Sequence, residues 1–144
     1  MSYDCTADVL EHKRKVTRYL IAFANVLAYR ATIHDDSKLQ SPEKETFDEF
    51  TPKLKEAEWG TETYKEFLVA MGEGLKHHYA VNSHHPEHYE NGVDGMNLLD
   101  LVEMVCDWQA AAEGKDVAVD LEHAAKRFNL SPQLISIIKN SIGS

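Results

Sequence analysis

Long apolar runs, basic residues and cysteines are all scarce in this 144-residue sequence, and each shortage removes a class of function. No uninterrupted apolar stretch approaches the roughly 18 residues of a spanning helix. The start, Met1 to Asp8, lacks the basic, then apolar, layout of a secretory signal. A cytoplasmic protein with no membrane partner is therefore expected. Cys5 and Cys106 are the only cysteines, which excludes a disulfide framework and a paired-cysteine zinc site. Fifteen Lys+Arg against 24 Asp+Glu leave a formal charge of -9, which argues against nonspecific binding of duplex nucleic acid or an anionic membrane. With only four prolines and seven glycines, and 43% hydrophobic residues, extended disorder is not expected. The length suits one domain with a real core, taken as residues 1–144.

What is present is helical periodicity. Val9, Val16, Leu20, Phe23 and Leu27 recur at three- and four-residue steps after a candidate N-cap at Thr6, predicting an amphipathic helix to about Tyr29. His12 falls on that stripe, so it is expected to face inward, as a ligand or as a core histidine bonded to a carbonyl. Ser41-Pro42-Glu43 reads as a serine-capped helix start, and Pro52 as its end or a kink. Tyr64, Leu68, Met71, Leu75 and His78 step along one face of a further helix, in which Gly72 and Gly74 mark close packing or local weakness. Residues 82–95 form a loop by composition. Helices are then expected over 96–112, from Val117 to Phe128, and after Ser131-Pro132. No segment alternates with period two, so the fold class is all-α.

Three signals carry chemistry. His34-Asp35, followed by Lys38, sets two metal-competent side chains beside a cation able to hold phosphate. His77, His78, His84, His85 and His88 put five of the eight histidines within twelve residues, and neutral imidazoles bind metals near physiological pH. Asp100, Glu103 and Asp107 share one helix face. Such a stripe is usually a solvated acidic surface, but Asp107 sits among apolar neighbours, and a buried carboxylate needs a cation or a full set of hydrogen bonds.

Taken in order, His12, His34-Asp35 with Lys38, His84-His85 with Glu87 close behind, and a helix ending in Val105-Cys106-Asp107 resemble the pattern of the HD-domain metal-dependent phosphohydrolases. The resemblance spans roughly residues 9–110. Locally it is nearest to HD-GYP-type sequences, but His78 lies only six residues before His84 and no Gly-Tyr-Pro follows, so cyclic dinucleotide specificity is not implied. The chain is also similar to compact HD-like sequences often carried by phages. The resemblance implies an HD-domain-like bundle of about six helices. It implies a first metal held by His12, His34, Asp35 and Asp107, with Asp35 bridging to a second held by His78, His84 and His85. One or two divalent transition ions (Mn, Fe, Co, Ni or Zn) suit such mixed ligands better than Mg or Ca. Lys38 would hold a phosphate oxygen. Glu103 would orient a water or a ligand histidine, and His77 and His88 would touch substrate unless they are exposed polar residues. His123 reads as structural.

The function expected is hydrolysis of a small phosphorylated substrate, a nucleotide foremost, by metal-activated water. The same ligands would also serve a di-iron oxygenase, or a non-catalytic protein that sequesters a nucleotide. Beneath these readings stands a plain helical domain with a fortuitous histidine loop. A homo-oligomer is allowed, with the apolar final helix as its interface.

Overall fold

Every regular element of the described residues, 1–143 in this computed structural model, is helical. The chain divides into two compact units, Met1–His34 and Asp35–Ser144. The first is essentially one helix, α1 (Thr6–Ile33), which runs 28 residues without a break. Cys5 holds its N-cap position, and Asp4 rather than Thr6 supplies the local bond, accepting from the Thr6 backbone N–H at 3.0 Å. Helical pattern continues past Tyr29 because Arg30, Ala31, Thr32 and Ile33 include neither glycine nor proline. None of its residues is buried, so the expected inward stripe of Val9, His12, Val16, Leu20 and Phe23 lies exposed.

The second unit opens with a 3-10 turn over Asp36–Leu39, then α2 (Glu43–Glu56), α3 (Glu62–Ala70) and α4 (Gly72–Val81). Helix α2 starts at Glu43 behind Pro42, with no side-chain cap from Ser41. It also runs through Pro52 instead of ending there. Pro52 and Asp48 are both exposed, so the carbonyl that loses its N–H partner is left to water. The single helix expected over Tyr64–His78 breaks at Met71, because Gly72 takes a left-handed conformation (φ +52). Gly74 has the other role foreseen for it, since a Cβ there would overlap the Thr46 side chain where α4 meets α2.

Two short 3-10 turns, Pro86–His88 and Gly92–Gly95, lead into α5 (Leu98–Gly114), α6 (Leu121–Phe128) and α7 (Pro132–Ile142). Asn97 and Asp100 close a capping box at the start of α5. Ser131 caps α7 with Pro132 in its first turn, as the Ser-Pro pair predicts. Leu121, Ala124, Leu130 and Ile138 form a small core, with Val105, Trp108 and Phe128 packed against it.

Candidate metal centre

Three stretches of the second unit bring the ligands together: the turn at Asp35, the end of α4 and the loop that follows it. Asp35 adopts the left-handed conformation (φ 58, ψ 14), which aspartate tolerates better than most residues. That turn sets Lys38 beside it, its Nζ donating to Asp35 Oδ2 at 2.7 Å while lying 4.6 Å above the Phe47 ring. His78 ends the apolar stripe of α4, and His84 and His85 sit in the loop that follows. Asn82 pins that loop, donating to the His78 carbonyl at 2.8 Å and to Ser37 Oγ at 2.9 Å. Asp100 pins it from the other side, accepting from Ser83 Oγ at 2.8 Å, Tyr89 OH at 2.6 Å and the Asn97 N–H at 3.1 Å.

One ligand atom from each of Asp35, His78, His84 and His85 lies within 4.8 Å of all the others. His78 Nε2 is 3.5 Å from Asp35 Oδ1, His84 Nε2 is 3.4 Å from the same oxygen, and the His78 and His85 Nε2 atoms are 2.9 Å apart. Ligands at about 2.1 Å from one ion stand roughly 3.0 Å apart at octahedral right angles and roughly 3.4 Å apart in a tetrahedron. The observed spacings span that range, so the group could hold a metal ion with small adjustments. His78 and His84 are each about 2% exposed, and burial favours neutral, metal-competent imidazoles. Burial, together with the neighbouring His84 and His78, pushes His85 down to about 3. His78 is also lowered by burial, against the opposing pull of Asp35 and Glu43.

Behind the ligands stand carboxylates that fix the rings. Glu43 is fully buried and accepts from His77 Nδ1 at 2.7 Å, His78 Nδ1 at 2.8 Å and Ser37 Oγ at 2.8 Å. Burial alone would raise Glu43, but the bonds from His77, His78 and Ser37 outweigh it and hold the carboxylate below its ordinary range. With Nδ1 committed to Glu43, His78 presents Nε2 to the cluster. Glu103 Oε1 stands 3.2 Å from His84 Nδ1 in the same relation. This pairing of imidazole and carboxylate is what a metal-ligating histidine ordinarily carries.

The chain belongs to the family of unknown function DUF5662, which it matches over residues 1–144. No curated protein and no solved structure matches it. The function of this DUF5662 chain therefore has to be argued from the site.

Of the residues singled out in the sequence, the structure gathers Asp35, His78, His84 and His85 into one cluster, with Lys38 on Asp35 and Glu103 on His84. Asp107 Oδ2 lies 3.9 Å from His84 Nε2, at the margin. Its side chain is 29% exposed, so the buried carboxylate of α5 is Asp100, which anchors the loop and takes no place in the cluster. The difference is one of position along the helix: Asp100 opens α5 beside the histidine loop, while Asp107, on the same face, follows about two turns later. His12 and His34 are not brought together. They stand 22 residues apart on and just beyond one continuous helix, about 33 Å along its axis, so α1 of one chain cannot deliver both to one ion. His77 is spent on Glu43 and His88 Nδ1 on the Tyr79 carbonyl at 2.9 Å. His123 packs edge-on against Trp59, with ring centres 4.4 Å apart.

Glu43 is the functional residue that sequence reasoning missed. It reads as an ordinary first-turn acid beside a helix dipole, and nothing near it in the chain announces partners more than 30 residues away. Beside the cluster lies a cavity of about 430 Å³. Lys38, His78, His85 and Asp107 lie on its polar side, and Leu75, Leu68, Trp59 and Trp108 are among its apolar walls.

Proposed function

We propose that this chain is a metal-dependent phosphohydrolase of a small phosphorylated molecule, with nucleotides the first class to test. The observation that carries the reading is the convergence of three imidazoles and the Asp35 carboxylate, with the Lys38 ammonium 2.7 Å from that carboxylate. A divalent transition ion bound there would supply a Lewis acid that polarises a phosphoryl oxygen and activates water.

The protein's own groups have distinct tasks. Asp35, His78, His84 and His85 would hold the ion, and Glu43 and Glu103 hold the two buried rings with Nε2 facing inward. Lys38 holds Asp35 Oδ2 while Oδ1 faces the imidazoles, so its ammonium would stand beside the ion, placed to take a phosphate oxygen. Residues 35–144 carry ten Lys+Arg against 21 Asp+Glu, a field that suits a small ligand held locally and repels a polynucleotide.

The test is to load the purified protein with Mn, Fe, Co, Ni or Zn in turn and assay phosphate and nucleoside release from mono-, di-, tri- and cyclic nucleotides. Turnover that is lost in Asp35→Asn, together with the bound metal, supports the reading. Lys38→Met should keep the metal and lose turnover by about 100-fold, the scale of one electrostatic contact to the transition state. Metal-loaded protein that binds nucleotide without cleaving it, or that consumes oxygen instead, would replace the hydrolase reading by sequestration or oxygen activation.

A further inference from the structure

The cavity beside the cluster is polar at one end and apolar along the rest. Every residue that lines it falls between Lys38 and Phe128, so its walls belong to the second unit alone. Lys38, His78, His85 and Asp107 form the polar end, and Lys38 Nζ lies over the Phe47 ring, where the two kinds of wall meet. Beyond it stand Leu54, Leu68, Leu75, Trp59, Trp108 and Phe128, the last two stacked with ring centres 5.8 Å apart.

Away from that end the walls have little with which to hold a polar group. Among the described residues that line the cavity, none is Asn, Gln, Ser or Thr. The charged side chains there are already engaged: Lys115 donates to the Leu54 carbonyl at 2.8 Å, Arg127 donates to Glu87 at 3.0 Å, and Asp120 accepts from the His123 N–H at 2.9 Å. Glu58 is exposed. The Tyr64 and Tyr79 hydroxyls remain, and that of Tyr79 accepts from Arg127 at 3.4 Å. A nucleotide base placed there would give up water at each edge donor and acceptor with little to replace it, whereas a hydrocarbon has no such bonds to lose. At about 30 Å³ per non-hydrogen atom, the share of a water in the liquid, about 430 Å³ admits roughly a dozen such atoms.

We propose that the ligand of this site is a monoalkyl or monoaryl phosphate of about eight to twelve carbons rather than a nucleotide, its phosphate at the polar end and its apolar body in the cavity. Cleavage of that ligand rests on the hydrolase reading, but its binding does not. In the cleavage, the oxygen of water bonds to phosphorus as the ester P–O bond breaks. One proton of the water leaves on the alcohol or phenol and the other stays on inorganic phosphate.

Alkylphosphonates, whose C–P bond resists hydrolysis, test the binding on the zinc-loaded full chain. Trp59 and Trp108 are the only tryptophans and both line the cavity, so their fluorescence reports its occupancy alongside calorimetry. From butyl- to decylphosphonate, affinity should rise about two- to fourfold per methylene, the upper figure corresponding to about 0.8 kcal/mol, with tryptophan emission changing in step. Ala112→Leu adds three carbons to the wall and should lower affinity for octylphosphonate about tenfold relative to butylphosphonate. Octanol, which lacks the group that the polar end holds, should bind at least about tenfold more weakly than octylphosphonate. Affinity that is flat with chain length, or equal for octanol, overturns the proposal. So does a nucleoside monophosphate that binds more tightly than octylphosphonate. Chain-length-dependent binding without cleavage of octyl phosphate would leave the ligand class standing and remove the hydrolase reading; cleavage of nucleotides without chain-length dependence would do the reverse.

Discussion

Replacing Glu43 by glutamine should weaken metal binding by 10- to 100-fold while the fold survives. Glu43 touches no ion in the proposed centre; it acts through His78, whose Nδ1 lies 2.8 Å from Glu43 Oε2. A glutamine of the same shape keeps one acceptor oxygen and presents an NH2 group in place of the other. If the remaining oxygen serves His78 and Ser37, the amide faces His77, whose side chain is 43% exposed and can turn to water. The stability cost is then about one charge-assisted hydrogen bond, roughly 1.5–3 kcal/mol. Loss of the carboxylate behind a ligand imidazole costs about 1.4–2.7 kcal/mol of metal affinity, the energetic equivalent of that 10- to 100-fold. Glu43→Ala is more severe, because His78 is about 2% exposed and its Nδ1–H would have no water to replace the acceptor. Cobalt or zinc titration by calorimetry, paired with urea unfolding of the metal-free variants, separates the two effects. Glu45→Gln, an exposed acid in the same first turn, is the control. Metal affinity within threefold of the parent protein in Glu43→Gln would refute the orienting role and leave Glu43 as a structural acid.

Other perturbations follow from the same geometry. The metal-free protein should lose stability as pH falls: His85 is depressed to about 3 in the fold against about 6.5 unfolded, so below about 6.5 the unfolded chain binds the extra proton. Stability should be complete above that pH and decline by about 1.4 kcal/mol per unit below it, visible as a shift in the urea midpoint between pH 7.5 and 5.5 that His85→Gln flattens. Gly74→Ala should destabilise by about 1–3 kcal/mol although alanine is the better helix former, because its Cβ overlaps Thr46; Thr46→Ala in the same chain should recover most of the loss. Asp100→Ala should cost more than about 3 kcal/mol by stranding Ser83, Tyr89 and the Asn97 N–H, whereas Asp107→Ala should stay within about 1 kcal/mol in denaturant melts of the metal-free protein.

Much of the helical layout is legible in the chain because its causes are local. The Ser131-Pro132 start, the stripe through Leu75 to His78 and the loop over 82–95 all rest on neighbours within a few residues. The errors arise where a local rule met a distant circumstance. Pro52 was expected to end or kink its helix; the helix does not end there, and an exposed site lets it continue through the proline. Asp107 was expected to be the buried acid from its apolar neighbours, but burial on α5 went to Asp100, which the histidine loop covers. The stripe of α1 was expected to face a core; periodicity specifies that a face is apolar and says nothing of what lies against it.

By itself the sequence determined that the protein is built of helices and that the imidazoles near residues 77–88 and the Asp35 carboxylate are its metal-competent groups. Spacing along a helix or a short loop decides such things. Only the tertiary structure decided that Asp35 meets His78, His84 and His85, and that Glu43 stands behind His77 and His78 across a separation of about 35 residues. It also decided that α1 runs unbroken and carries His12 away from His34. Those outcomes depend on how the chain turns between elements and which faces pack, and no residue spacing encodes a distance once the helix that carries it has ended.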